Sequence, residues 1–136
     1  MVQSVGIELA CPNCASLIEQ VLTQSIDRNR MSWELEFSCP VCGATQAMLS
    51  LGDLPPAFRK LFIEAAGLYR MVFEDEVKVS AKMLQAIRKV LNSSIEESRG
   101  IARSLLAGTY EGTRTELELL ARGLRAAGLE VQISKI

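Results

Sequence analysis

The sequence predicts an α+β chain in two parts, a small strand-rich front and a helical rear that finishes on a strand. Three observations predict it. All four cysteines fall within the first 42 residues as two C-x-x-C pairs, each preceded by a run that alternates apolar and polar residues. From residue 77 onward the apolar positions repeat at helical spacing in three successive segments. With 136 residues, 49% of them apolar and 23% charged, the chain can bury a core but has room for only one domain or two very small ones.

Val5-Gly6-Ile7-Glu8-Leu9 reads as a strand entering the first cysteine pair, and Trp33-Glu34-Leu35-Glu36-Phe37 as a strand entering the second, with Trp33, Leu35 and Phe37 on one face. Between them, Leu17, Ile18, Val21 and Leu22 stand at helical spacing, so a short helix is expected over Ser16 to Ser25, ending in the polar turn Asp27-Arg28-Asn29-Arg30. The turn-rich Leu51-Gly52-Asp53-Leu54-Pro55-Pro56 closes a first unit over residues 1–50. A helical connector follows over 51–76, with proline suited to its first turn, Phe58, Leu61, Phe62 and Ala65 on one face, and Gly67 as its stop. Either Tyr69–Phe73 or Val77–Val79 supplies a strand, and the pattern leaves that choice open.

Residues 77–136 form the last unit. Leu84, Ile87, Val90 and Leu91 mark its first helix. Ser94 with Glu97 has capping-box spacing and opens a second helix through Ile101, Ala102, Leu105 and Leu106 to Gly108. Thr113 with Glu116 opens a third, which aligns Leu117, Leu120, Ala121 and Leu124, stops at Gly128 and gives way to the alternating Leu129–Ile133.

Several functions are excluded or disfavoured by composition. The chain has no histidine, so neither a Ser-His-Asp nor a Cys-His nucleophile can be assembled from it. Neighbouring acids such as Glu96-Glu97, or Glu116 with Glu118, are too close in sequence to share a helix face and read as solvated helix starts rather than an acid/base dyad. An enzyme is therefore not expected. No run reaches eighteen apolar residues and the first residues lack the basic start of a secretory signal, so a soluble cytoplasmic protein with no membrane partner is expected.

Cys11-Pro12-Asn13-Cys14 and Cys39-Pro40-Val41-Cys42 carry the clearest chemistry. Four thiolates satisfy the tetrahedral preference of Zn²⁺, and a two-residue spacer lets both sulfurs of one turn face the same ion. Gly43 follows the second pair and suits a left-handed residue there, whereas Ala15 takes that place after the first. A redox dithiol and a disulfide are the competing readings, and iron in a Cys₄ site is not distinguished from zinc by spacing. The doubled motif with its flanking strands resembles a zinc ribbon. That resemblance implies a structural Zn²⁺ held by Cys11, Cys14, Cys39 and Cys42, with every metal position closed by protein.

Charge is distributed unevenly. Residues 1–50 hold two basic against five acidic residues, which repels phosphate, whereas residues 77–136 hold ten basic against six acidic, with Lys82, Arg88, Lys89, Arg99 and Arg103 on the first two helices.

The stretches Met83-Leu84-Gln85-Ala86-Ile87-Arg88, Ile95-Glu96-Glu97-Ser98-Arg99 and Leu124-Arg125-Ala126-Ala127-Gly128-Leu129-Glu130-Val131-Gln132-Ile133 resemble the C-terminal domain of the ribosomal stalk protein L7/L12. The resemblance implies three helices on a small antiparallel sheet, a fold related to that of the adaptor protein ClpS. It also implies a partner face of Leu84, Ile87, Arg88 and Arg99, with Arg103 nearby, that in the family recruits translational GTPases. Leu91-Asn92-Ser93-Ser94 stands where the family has a glycine-rich link. The expected function is a non-catalytic zinc-binding adaptor acting by protein-protein contact, with a translational GTPase or another acidic protein as partner. The alternatives are a nucleic-acid-binding protein using the basic rear helices and a C-x-x-C dithiol oxidoreductase.

Overall fold

The computed structural model describes residues 1–136, which divide after Ala66 into two compact units, Met1–Ala66 and Gly67–Ile136. The expected connector over 51–76 is thereby shared between them. Its helix folds with the first unit and its Tyr69–Phe73 strand with the second.

The first unit is an antiparallel meander of β1 (Val2–Ala10), β2 (Leu17–Asp27), β3 (Arg30–Ser38) and β4 (Thr45–Leu51), followed by α1 (Pro56–Ala66). The helix expected over Ser16 to Ser25 is instead strand β2. Its inward positions are Ile18, Gln20, Leu22, Gln24 and Ile26, all buried, so the side chains alternate with period two. Two glutamines occupy inward positions and break the apolar alternation, while the outward Leu17 and Val21 imitate a helical stripe. β2 and β3 turn over Arg28 and Asn29, both at positive φ (51° and 60°), the geometry of a tight two-residue hairpin.

A sheet of this kind has one apolar face that must be covered, and α1 covers it. Ile7, Leu22, Trp33 and Leu35 from three strands pack under Leu54 and Phe62, with Phe58 and Leu61 at the margin. The Trp33 and Phe58 rings meet edge to face with centroids 5.6 Å apart. β4 lies beyond this cover.

The second unit comprises β5 (Tyr69–Phe73), α2 (Ala81–Leu91), α3 (Ile95–Ala107), β6 (Glu111–Gly112), α4 (Arg114–Ala126) and β7 (Val131–Lys135). Three helices accompany a three-stranded antiparallel sheet in the order β6-β5-β7. The central strand is Tyr69–Phe73, and Val77–Val79 is irregular. This places the start of the unit before residue 77, because without β5 neither β6 nor β7 would have a neighbour to pair with. The terminal strand runs over Val131–Lys135, two residues later than the sequence expectation, because the helix end is closed by hydrogen bonds from Gly128 N to Arg125 O and from Leu129 N to Leu124 O.

The caps follow the sequence closely. Ser94 Oγ accepts from Glu97 N at 3.1 Å, and Thr113 and Glu116 exchange both bonds of a capping box, at 3.1 and 2.9 Å. Asn92, at φ 51°, supplies the left-handed residue that ends α2. Met83, Ala86, Ile87, Ala102, Leu105, Leu120, Ala121 and Leu124 form the core with Met71 and Val131 of the sheet.

α2 and α4 approach closely at Gly123, where a Cβ would lie 2.5 Å from Val90 Cγ2. Val is stiff at χ1 and cannot swing away cheaply. Gly123→Ala is therefore expected to destabilise the protein by about 1–2 kcal/mol despite alanine's better helix propensity. Adding Val90→Ala should make the Gly123→Ala step cheaper, measured as coupling in a double-mutant cycle of denaturant unfolding.

Candidate metal centre

The two cysteine pairs sit at the tips of alternate hairpins on one end of the first sheet, Cys11–Ser16 joining β1 to β2 and Cys39–Ala44 joining β3 to β4. Both tips are built alike. Cys11 N donates to Ser16 O and Ala15 N to Cys11 O, both at 2.8 Å. In the second tip Cys39 N donates to Ala44 O at 2.8 Å and Gly43 N to Cys39 O at 2.9 Å. The residue after each pair is left-handed, Gly43 at φ 77° and Ala15 at φ 63°. Alanine thus adopts the conformation that glycine takes in the other tip, at a steric cost that glycine avoids.

Antiparallel pairing of β2 with β3 brings the tips together, and the four Sγ atoms all lie within 4.8 Å of one another. Cys11 Sγ and Cys42 Sγ are 3.8 Å apart, and Cys14 Sγ and Cys39 Sγ are 3.7 Å apart. Zn–S bonds of about 2.3 Å make the edge of a tetrahedron about 3.8 Å, whereas a disulfide needs about 2.05 Å. All four thiols are free. The arrangement therefore fits one tetrahedral ion shared between the tips and does not fit bridges within or between the pairs. Cys11 and Cys39 are buried beside Ile18 and the half-buried Phe37, while Cys42 is exposed.

The surroundings bias individual thiols toward the charged form that a metal requires. The Asn13 side chain and the Ala44 amide hydrogen-bond to Cys42 and bring its thiol down to about 6. The Ser16 hydroxyl and amide likewise lower Cys14. At Cys39 the amides of Cys42 and Val41 favour the thiolate, but burial and the adjacent sulfurs outweigh them and raise it. Asn13 and Ser16 were not singled out from sequence, although each lies within or next to the first motif; only the fold shows that Asn13 reaches across to the other tip.

The residues expected on a partner face all lie in the second unit but do not share one environment. Arg88, Arg99 and Arg103 are exposed, and Leu84 is half-buried against the core. Ile87 is a core residue, fully buried one turn after Met83, and presents nothing to a partner. The exposed Leu91 and Ile95 flank these arginines; the sequence places Leu91 on the apolar stripe of α2 and Ile95 at the start of α3 but neither on the partner face. Ile95, Arg99 and Arg103 follow one another at i, i+4 and i+8 along α3, a single surface stripe. No helix is long and apolar enough to cross a membrane.

Comparisons with protein-family models, characterised proteins and solved structures return no match to this chain.

Ala15→Gly should stabilise the metal-loaded protein by about 0.5–1 kcal/mol, read as a raised thermal midpoint at unchanged metal content, since it removes the left-handed penalty. Lowered from its ordinary value, the Cys42 thiol favours the folded tip at and above that ordinary value, and its contribution is lost as pH falls through about 6. A bound ion competes with protons for the same sulfur, so metal is expected to be retained through that region and released only below it. Loaded protein at pH 7 should resist iodoacetamide, and chelator treatment should make the four thiols reactive, the exposed Cys42 first, as mapped by peptide mass.

Proposed function

We propose that the chain is a non-catalytic adaptor in which a zinc ion held by Cys11, Cys14, Cys39 and Cys42 staples the first unit, while the basic helices of the second unit dock an acidic protein. The observation that carries this reading is the convergence of four thiol donors from two hairpin tips within 4.8 Å. A donor set made only of sulfur matches the softness of zinc sites and fills every tetrahedral position, leaving none for a water to be activated. Such an ion organises the chain around it and supplies no hydrolytic chemistry. Free thiols in close array also suit a reducing, cytoplasmic compartment.

The docking role is supported by the exposed arginines of α2 and α3 and by the apolar Leu91 and Ile95 among them. Basic charge around modest apolar area steers an acidic surface into contact and gives it something to bury. The likeness of Met83–Arg88, Ile95–Arg99 and Leu124–Ile133 to the L7/L12 C-terminal domain makes a translational GTPase the first partner to test. Three helices with a three-stranded antiparallel sheet are the architecture that likeness implies. Binding of nucleic acid through the first unit is disfavoured by Glu8, Glu19, Glu34 and Glu36 on the outward face of its sheet, which leaves the basic helices of the second unit as the face for that alternative.

Elemental analysis of protein purified without added metal is expected to give one zinc per chain; iron in its place would overturn the zinc assignment, and metal-free folded protein with bridged thiols would refute the staple itself. Calorimetry against purified translational GTPases is expected to show binding that Arg88→Glu with Arg99→Glu weakens about tenfold or more, some 1.4 kcal/mol, at unchanged zinc content.

A further inference from the structure

β4 is an edge strand that the fold leaves open on its free side and on both faces. It pairs only with β3, and it contains no charged residue and no proline, the devices that usually blunt an edge. Leu49 and Leu51 are 72% and 73% exposed and Met48 is 46% exposed, a concentration of apolar surface on one short strand.

The register shows which backbone groups are open. Cys39 N donates to Ala44 O and Gly52 N to Met31 O, with Ser32 opposite Leu51, so Gln46, Met48 and Ser50 bond to β3. The amides and carbonyls of Thr45, Ala47, Leu49 and Leu51 therefore point away from the sheet.

We propose that β4 pairs antiparallel with β4 of a second copy of this chain, with Met48 on the two-fold axis. In that register Thr45 faces Leu51 of the second copy and Ala47 faces its Leu49, so every outward backbone group of the strand finds a partner. Each of the two leucines meets a smaller residue, and no like charges are brought together because the strand has none. Met48 meets Met48 of the second copy on the inner face. There a groove of about 440 Å³ lined by Leu9, Leu35, Phe37, Met48 and Phe58 borders this edge and offers both methionines apolar surface. The contact is the same patch on both copies and closes on itself, leaving no open edge at β4. An unrelated extended peptide could use the same backbone groups, but it would not supply these matched side chains.

Sedimentation equilibrium of the full metal-loaded chain tests this. A concentration-dependent dimer is expected. Leu49→Lys should abolish it while leaving far-UV circular dichroism and metal content unchanged, and Val2→Lys on the opposite edge strand should leave the dimer intact. Independently of that charge variant, Met48→Cys should cross-link to itself under mild oxidation, since facing residues of a non-hydrogen-bonded pair lie about 4.5 Å apart at Cα. Ser50→Cys should not, its two copies being displaced along the strands by about 14 Å. A chain monomeric at every accessible concentration overturns the proposal. So does a dimer that survives Leu49→Lys, or one in which Ser50→Cys cross-links and Met48→Cys does not. None of these readouts depends on which ion or protein partner the adaptor reading assigns.

Discussion

Four free sulfurs converge at one end of the first unit, an arrangement that a shared cation would stabilise. Thiolates held 3.7–3.8 Å apart repel one another, and in a partly buried setting that repulsion is weakly screened. Neutral thiols at these distances would gain only weak hydrogen bonds. The surrounding amides, with Asn13 and Ser16, lower individual thiols, but they cannot remove a mutual repulsion that grows as each further thiol ionises. A divalent ion inverts the sign of the problem. The same crowding that opposes ionisation without metal becomes the coordination sphere with it.

This constraint acts at one end of the sheet, and a different one acts in its middle. Ile7, Leu22, Trp33 and Leu35 are buried under α1 by ordinary apolar packing, whereas Cys11, Ile18 and Cys39 form a separate small cluster at the tips. The helix after the turn Leu51–Pro56 therefore belongs to the strand unit for an energetic reason: fifty residues of meander would leave an apolar face wet. The sequence located that helix and three of the four residues of its apolar face, Phe58, Leu61 and Phe62; the fourth, Ala65, is exposed, and Ala66 packs against the core in its place. What it did not reveal was the surface the face would cover, because that surface includes β2, whose strand character was hidden.

The legibility of the chain follows the same division. Metal-ligand spacing is local, so Cys11, Cys14, Cys39 and Cys42 could be read directly, and the caps at Ser94 and Thr113 are equally local. β2 was misread because Gln20 and Gln24 lie in the sheet interior, where alternation would place apolar residues. β4 left no trace at all, since a strand with neither face buried need not alternate. Ile87 illustrates the limit of carrying a face over from a resemblance. Helical periodicity says which residues share a side, but only the packing of α2 says that this side turns inward at Ile87 and outward at Arg88.

β4 also shows how far the sulfur cluster reaches. No side chain of the strand is buried, so apolar packing contributes little to holding it in place. Its position rests on the hydrogen-bond ladder to β3 and on the tip at Cys39–Ala44 that joins the two strands. An isolated two-stranded pairing with no buried face is marginal in water, and the register of such a pair slips easily when nothing distinguishes one face from the other. Fixing Cys42 against Cys11 removes that freedom, because a slip of one residue would carry Cys42 away from the other three sulfurs. An ion held by the four sulfurs would thus set the register of a strand that the hydrophobic core does not reach, and with it which backbone groups and which of Met48, Leu49 and Leu51 stand at the open edge.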